Sequence, residues 1–207
     1  MSKINIISTL FFIILFYSCN NDNNLSIECN INDLNIVTID ARSWDDWTYY
    51  SFELEDVVSI TNPDNSLNWD IAFKRNHIKT NGGESGIGEA CGMVNQNESW
   101  SCDSFQSVNE IPENLVCADD MMVIGTGIQP DPPYEGCYDL MTHSFMDCIK
   151  NPALDNWGWF DSDYHFNITD YMLFFRDASG NDLKLWLLSY YNNDGSAFID
   201  MVFKKDF

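Results

Sequence analysis

Apolar and polar residues alternate most regularly in the C-terminal part of the chain. Residues 171–176 and 197–203 have the length and composition of strands, and residues 183–191 carry apolar side chains on both faces. The segments between them, 177–182 and 192–195, are rich in Asn, Asp and Gly, which favour tight turns. The pattern predicts two consecutive antiparallel hairpins, with the middle strand buried from both sides.

Strands are also predicted in the N-terminal half. Residues 34–39 are apolar and β-branched, and residues 48–54 contain two Tyr and one Phe. In residues 69–74, Trp, Ile and Phe alternate with Asp, Ala and Lys, the pattern of a half-buried strand. A turn is expected at 81–83, because its two Gly residues adopt positive φ at little cost. Together with the C-terminal hairpins, these segments predict an all-β fold of mostly antiparallel sheets.

The middle third of the chain, residues 84–160, has no such regularity. It holds five of the seven cysteines and five of the six prolines. Only residues 121–124 favour a strand, and residues 140–150 favour one short helix. We therefore expect long loops held by disulfides. Long loops in a compact domain are often its functional part.

The N-terminus has the features of an export signal. Lys3 precedes a nearly continuous apolar run over residues 4–17, followed by Ser18 and Cys19 and then by a polar stretch. The run is shorter than the roughly 20 residues that a membrane span requires. A small residue followed by Cys predicts a lipoprotein signal at 1–18 with a lipid on Cys19. A plain secretory signal, in which Cys19 is incidental, is the alternative.

This interpretation divides the chain into three parts. After the signal, the Asn- and Asp-rich residues 19–33 form a flexible tether, and residues 34–207 form a single β domain. A domain of this length can bury a sizeable core without help from metals.

The number of cysteines is consistent with export of the protein from the cytoplasm. Without Cys19, an even set remains, as expected for a chain that forms up to three disulfides in an oxidising compartment: Cys29, Cys91, Cys102, Cys117, Cys137 and Cys148. Sequence does not settle the pairing, but the short loops 91–102 and 137–148 are the first expectations. A zinc site is disfavoured because no Cys-x-x-Cys pair occurs.

The charge of the chain excludes two classes of partner. The formal net charge is −22, with 32 acidic residues against 10 Lys and Arg. Such a surface repels nucleic acid and anionic lipid headgroups, so the membrane would be reached through the lipid anchor only. The simplest role of the acidic excess is solubility.

Three stretches of the sequence resemble the HmuY family of haem-binding lipoproteins of Gram-negative bacteria. The first is Trp-Asp-Ile-Ala-Phe-Lys-Arg at 69–75, continued by Ile-Lys-Thr-Asn-Gly-Gly-Glu-Ser-Gly at 78–86. The second is Lys-Leu-Trp-Leu-Leu-Ser-Tyr-Tyr at 184–191, followed by Gly195 and a closing strand. Trp-Gly-Trp-Phe at 157–160 fits as well. The resemblance covers both ends of the domain but not its middle third.

The resemblance implies an all-β protein anchored by its lipid to the outer membrane, on the cell surface or on the periplasmic face. Members of the family capture haem and deliver it to a TonB-dependent outer-membrane receptor. They hold the iron with two side chains, His in some members and Met in others, on loops of the variable middle region. Because that region is not shared here, no ligand residue can be carried over.

Candidate iron ligands must therefore be chosen from the His and Met residues of the middle third, since these are common axial ligands of haem. Met121 and Met122 lie on one predicted loop, and His143 and Met146 lie on another. One ligand from each loop could hold the two sides of a porphyrin. His77 is expected to be an ordinary strand residue. Aromatic residues that could sandwich a porphyrin are Trp100, Tyr134, Tyr138, Trp157 and Trp159.

Electrostatics count against haem, because its propionates are anionic and Lys150 is the only basic residue of the middle third. Lys74, Arg75 and Lys79 would help if they faced the pocket.

A second hypothesis is a surface lipoprotein of the HmuY fold that binds a protein, a glycan or another ligand without haem. An enzyme is not expected, since the sequence has no Gly-x-Ser-x-Gly, His-Glu-x-x-His or P-loop motif.

Overall fold

The computed structural model describes residues 29–128, 136–139, 142–193, 195, 197–205 and 207. In chain order its strands are β1 (Val37–Asp40), β2 (Thr48–Ser51), β3 (Asp56–Val58), β4 (Ile71–Lys74), β5 (His77–Thr80), β6 (Cys91–Ser99), β7 (Met121–Val123), β8 (Gly127–Ile128), β9 (Cys137–Asp139), β10 (Ser144–Met146), β11 (Cys148–Lys150), β12 (Gly158–Phe160), β13 (Phe166–Ile168), β14 (Tyr171–Arg176), β15 (Asp182–Tyr191) and β16 (Ala197–Lys205). The helix α1 spans Cys102–Ser107, and short 3-10 helices span Ile31–Asp33, Pro63–Asn65 and Leu154–Trp157.

The largest sheet has the antiparallel order β1-β16-β15-β14-β6. Its centre is the C-terminal meander, β14 to β16, so the prediction of two consecutive hairpins is confirmed. Most of β15 is buried on both faces, as the apolar residues on both of its sides indicated. The mostly antiparallel all-β class is confirmed too.

The second sheet has the order β3-β2-β4-β5 and packs against the first. The half-buried pattern predicted for 69–74 is wrong, because Trp69 to Phe73 are all buried. The inner side of β4 faces the large sheet. On the outer side, Ala72 pairs with Lys79, whose ammonium lies over the rings of Trp47, Tyr49 and Trp69 at 4.9–5.3 Å. This aromatic layer covers the second face.

Two apolar clusters use opposite faces of the large sheet. The main core lies between the two sheets and includes Phe52, Phe73, Phe175 and Leu185. The second cluster is covered by α1 and the segments that follow it, and includes Trp100, Phe105, Met172, Phe174 and Trp186. We call the two sheets and these clusters the sandwich.

Within the family-like stretch 78–86, steric contacts explain why positions 82 and 86 are glycine. A Cβ on Gly82 would lie 2.0 Å from the carbonyl oxygen of Ala90, and one on Gly86 would lie 2.0 Å from Oδ1 of Asn81. Asn81 is fully buried, and its side-chain amide donates to the carbonyl oxygens of Ser66 and Trp69. The motif therefore forms a tight turn around a buried Asn.

The six cysteines form the disulfides Cys29–Cys102, Cys91–Cys117 and Cys137–Cys148, with Cα–Cα distances of 5.5, 5.4 and 5.7 Å. The expected pair 137–148 is present. The expected pair 91–102 is wrong, because the nine-residue strand β6 separates the two residues by on the order of 25–30 Å. Cys29 also attaches the described end of the predicted tether, residues 29–33, to α1.

The middle third is built from short strands. The sheet β8-β10-β9 and the pair β11-β7 are joined by the disulfide Cys137–Cys148, and we call β7 to β11 the stapled lobe. The strand predicted at 121–124 is present as β7. The helix predicted at 140–150 is wrong, since β10 and β11 lie there. The α-helix instead begins after Ser101, where Ser101 and Ser104 form a capping box. No helix in the described part of the chain has the length and apolar character needed to cross a membrane.

Candidate functional site

A cavity of about 810 Å³ opens where three parts of the chain meet. These parts are the turn between β4 and β5, the stapled lobe, and the hairpin β12–β13 with the end of β15. Half of its lining residues are aromatic: Trp44, Tyr138, Phe145, Trp159, Phe160, Tyr164, Phe166, Tyr190 and Tyr191. The volume falls in the range of roughly 300–1,000 Å³ that is usual for small-molecule pockets.

Ring contacts hold the inner wall of the cavity. Phe166 lies 4.6 Å from Tyr190 and 5.1 Å from Phe160 between ring centroids, and Trp157 supports it from the core at 4.6 Å. A Cβ on Gly158 would lie 2.4 Å from the Phe166 ring, so only glycine fits there. This contact explains the Trp-Gly-Trp-Phe stretch in physical terms. The wall is preformed by packing of the kind that positions aromatic rings in protein cores.

Backbone conformation brings polar residues to the same cavity. Arg75 has φ of 54°, in the left-handed region that side chains rarely adopt, and it turns the chain between β4 and β5. The turn places Arg75, Asn76 and His77 along the lining. On the opposite side, Tyr164 has φ of 63° in the loop of the β12–β13 hairpin.

Among the described residues, His77 is the histidine that lines the cavity. Burial lowers its pKa to about 4, which outweighs the opposite effect of Asp155. The imidazole is therefore neutral at physiological pH, and one of its two ring nitrogens carries a lone pair. Its Nδ1 is covered by protein and has no hydrogen-bond partner. The ring also interacts with the backbone of Tyr138, another residue of the lining, through a hydrogen bond that raises its pKa slightly against the effect of burial.

The lining carries equal numbers of positive and negative side chains among the described residues. Nζ of Lys150 pairs with Asp155 at 2.6 Å. The carboxylate of Asp161 accepts bonds from the backbone N–H groups of Asp163 and His165, and these bonds help to lower its pKa. Arg75 supplies the second positive charge. The described lining thus has two cations and two acids in a chain of net charge −22, so the cavity does not share the acidic excess.

The sequence-predicted ligands lie around the stapled lobe, outside the cavity lining. Met121 and Met122 are on β7, opposite Lys150 and Ile149 of β11, and both are about half exposed. Met146 ends β10 and is half exposed. His143 is hydrogen-bonded to a residue of the lining, since its Nδ1 lies 3.2 Å from Oη of Tyr138.

Of the aromatic residues predicted to sandwich a porphyrin, Tyr138 and Trp159 line the cavity, Trp157 supports its wall, and Trp100 packs in the second cluster. Cys19 and Tyr134 lie outside the described residues. Sequence reasoning missed the position of His77. The only available signal was its place inside the family-like stretch, between Arg75 and residue 78. Within the described ranges, no group of three or more His, Cys, Asp or Glu side chains is placed to hold a metal ion.

The fold and this cavity can now be compared with known proteins. The family model described as HmuY protein matches residues 43–204, which is most of the chain. The chain belongs to the HmuY family. No curated protein matches it as a relative.

Solved structures agree on the fold. A candidate HmuY-like haem-binding protein from Bacteroides vulgatus superimposes with a TM-score of 0.60 at 20% identity, covering 84% of this chain and 92% of the other. The apo HmuY analog of Tannerella forsythia gives 0.57 at 17% identity, covering 83% and 95%. A candidate lipoprotein from Bacteroides fragilis gives 0.54 at 18%, covering 84% and 89%. At these identities the likeness establishes the HmuY-like fold alone.

Proposed function

We propose that this HmuY-family protein is a lipid-anchored haem-binding protein that captures haem in the aromatic cavity and passes it to a TonB-dependent outer-membrane receptor. The observation that carries the proposal is the preformed aromatic cavity with the neutral imidazole of His77 at its lining. Similarity to proteins described as HmuY-like supports it. Members of this family are binding proteins rather than enzymes.

The residues present fit a porphyrin. Its flat, apolar faces need aromatic or aliphatic walls, which Phe166, Tyr190 and Trp159 supply. The balanced charges of the lining also remove the electrostatic objection that the sequence raised, since the nearest side chains do not repel the propionates as a group.

The axial ligands that geometry favours differ from those chosen by sequence. His77 is neutral and lines the cavity, and a neutral imidazole is a common axial ligand of haem iron. His143 is the second candidate, because it is hydrogen-bonded to the cavity residue Tyr138. Met121, Met122 and Met146 remain candidates on the stapled lobe. They would serve if the lobe closes over the bound porphyrin.

The proposed lipid anchor on Cys19 would keep the binding site at the membrane. Three disulfides suit a chain that folds in an oxidising compartment. A tether between Cys19 and Cys29 would hold the domain near its receptor. Replacement of Cys19 by Ser should move the protein from the membrane fraction to the soluble fraction and abolish labelling by radioactive palmitate. Membrane retention of the Cys19→Ser protein would refute the anchor.

Haem binding is tested by titrating the purified domain with ferric haem and recording the Soret band. We expect a sharp, saturable shift at one equivalent. A spectrum that stays that of free haem would overturn the proposal.

Ligand variants identify the iron-binding residues. His77→Ala should change the Soret and visible bands and weaken haem binding at least tenfold. His143→Ala and the methionine variants Met121→Ala, Met122→Ala and Met146→Ala test the lobe in the same way. His165→Ala is the matched control, because His165 is an exposed imidazole that does not line the cavity. Unchanged spectra for His77→Ala would remove His77 as a ligand.

One observation favours the alternative of a different ligand. Trp159, Phe160 and Tyr164 line the cavity but remain 44–67% exposed, and exposed rings of this kind also stack on sugar rings. A glycan or protein ligand without haem is therefore the second candidate function. Binding to a glycan array that is lost in Trp159→Ala, together with an unshifted haem spectrum, would establish it.

A further inference from the structure

Arg75 occupies an unusual position for a basic residue in so acidic a chain. Its guanidinium stacks on the ring of Trp44, with 4.1 Å between Cζ and the ring centroid. One nitrogen, Nη1, donates to the carbonyl oxygen of Arg42 at 3.1 Å. Its Nε is buried and has no hydrogen-bond partner. The side chain is therefore held in place by Trp44 and by the backbone of Arg42, with no carboxylate at its Nε.

No carboxylate of the described residues forms an ion pair with Arg75. The other cation of the lining, Lys150, is neutralised by Asp155. Asp161, the second acid of the lining, is occupied by backbone N–H groups. Arg75 is thus the cation of the lining that has no ion-pair partner among the described carboxylates. A guanidinium binds a carboxylate through charge-assisted hydrogen bonds, which are stronger than those between neutral groups.

The chain fixes this charge before any ligand arrives. The backbone N–H of Arg75 donates to the carbonyl oxygen of Ala41 at 2.8 Å, and the residue has a left-handed backbone. The guanidinium also interacts with the buried hydroxyl of Tyr190. A donor that is already oriented loses little freedom on binding, so more of its hydrogen-bond energy appears as affinity.

We infer that Arg75 is a specificity-determining residue that binds a carboxylate of the ligand, so that the cavity selects flat aromatic molecules that carry carboxylates over their neutral analogues. For a porphyrin, the carboxylate is a propionate. The inference rests on the proposed function and adds a recognition step that does not involve the iron.

The test is a cycle of two ligands and two proteins. Metal-free protoporphyrin IX and its dimethyl ester differ in their carboxylates, and wild type and Arg75→Met differ in the guanidinium. Affinity is measured by quenching of tryptophan fluorescence, which does not depend on iron ligation. We expect the ester to bind wild type roughly ten- to hundredfold more weakly than the diacid, the range for a hydrogen bond to a charged group.

Arg75→Met should lose the same factor for the diacid and bind both ligands equally, because the loss belongs to one interaction. Arg75→Lys keeps the charge without the fork and should lie between the two. Arg176→Met is the matched control, since it removes an Arg from an exposed ion pair with Asp182. Circular dichroism checks that each variant is folded.

The inference is overturned if Arg75→Met and Arg75→Lys bind the diacid as tightly as wild type, or if the ester and the diacid bind wild type equally. Both outcomes leave haem binding intact. If wild type binds neither porphyrin nor haem, the proposed function fails and the carboxylate anchor fails with it.

Discussion

The sandwich and the stapled lobe are stabilised in different ways. In the sandwich, β14, β15 and β16 are 6–10 residues long and contribute fully buried side chains such as Phe175 and Leu185 to one core. In the stapled lobe, strands of two or three residues are tied by one disulfide, and most of their side chains are partly or largely exposed. Burial fixes the first region and a covalent bond fixes the second. A lobe with little buried surface can change its sequence without cost to the fold, and it borders the cavity.

The largest effect is expected in the sandwich. Phe175→Ala should lower the free energy of unfolding by about 3–5 kcal/mol, because it removes a fully buried ring that lies 5.1 Å from Phe52. Urea denaturation of the oxidised domain measures it. Phe175→Leu is the control and should cost clearly less. A loss below about 1 kcal/mol for Phe175→Ala would show that the core does not carry the stability.

Removal of a disulfide should have different effects on the stability of the two regions. Replacing Cys91 and Cys117 by Ala removes a cross-link between β6 and the loop before β7, with a sequence separation of 26, and should cost about 3.5 kcal/mol of global stability by chain entropy.

Replacing Cys137 and Cys148 should instead loosen the stapled lobe alone. The global urea midpoint should change little, while limited proteolysis should cut faster between 121 and 150. Equal losses of global stability in the two double variants would contradict the distinction between the regions.

Acid should act through His77, where the two regions meet. Burial lowers the pKa of His77 to about 4 from its ordinary value of 6.5. Between these two values the unfolded chain binds a proton at His77 and the folded protein does not. Stability is thus fully present above pH 6.5 and is lost as the pH falls toward 4. At pH 5 the loss reaches about 2 kcal/mol.

The His77 contribution is isolated by comparing wild type with His77→Phe in urea at pH 7.5 and pH 5. The variant should lack that part of the acid loss, while the acidic residues titrate equally in both proteins. Parallel losses in the two proteins would show that His77 does not hold its neutral form in the fold.

The smallest effect is expected for the methionines of the lobe. Met122→Ala and Met146→Ala should each change the stability of the haem-free domain by less than about 1 kcal/mol, because both side chains are about half exposed. Thermal unfolding measured with and without haem sharpens the comparison. A methionine that ligates iron would lower the melting temperature of the haem-loaded protein only, whereas a packing role would lower both equally.

Sequence periodicity located the meander to within a residue or two, because local alternation decides which strands can bury a face. It failed at 69–74, where the outer face is buried by Lys79 of β5, whose ammonium lies over the rings of Trp47, Tyr49 and Trp69. It also failed at 140–150, where the spacing of polar and apolar residues suits a helix but the disulfide and the pairing with β7 and β9 favour strands.

The sequence by itself determined the all-β class, the family and the six cysteines that remain when Cys19 is set aside, because each depends on residue order or on composition. Only the tertiary structure decided which cysteines pair, since the length of β6 separates Cys91, at its start, from Cys102, which begins α1 beyond its end. It also decided where a ligand can enter. The burial of His77 and the uncompensated charge of Arg75 are made by residues distant in sequence, such as Trp44, Tyr138 and Tyr190. Those contacts leave no local pattern in the chain, so they follow from the packing of the sandwich against the stapled lobe.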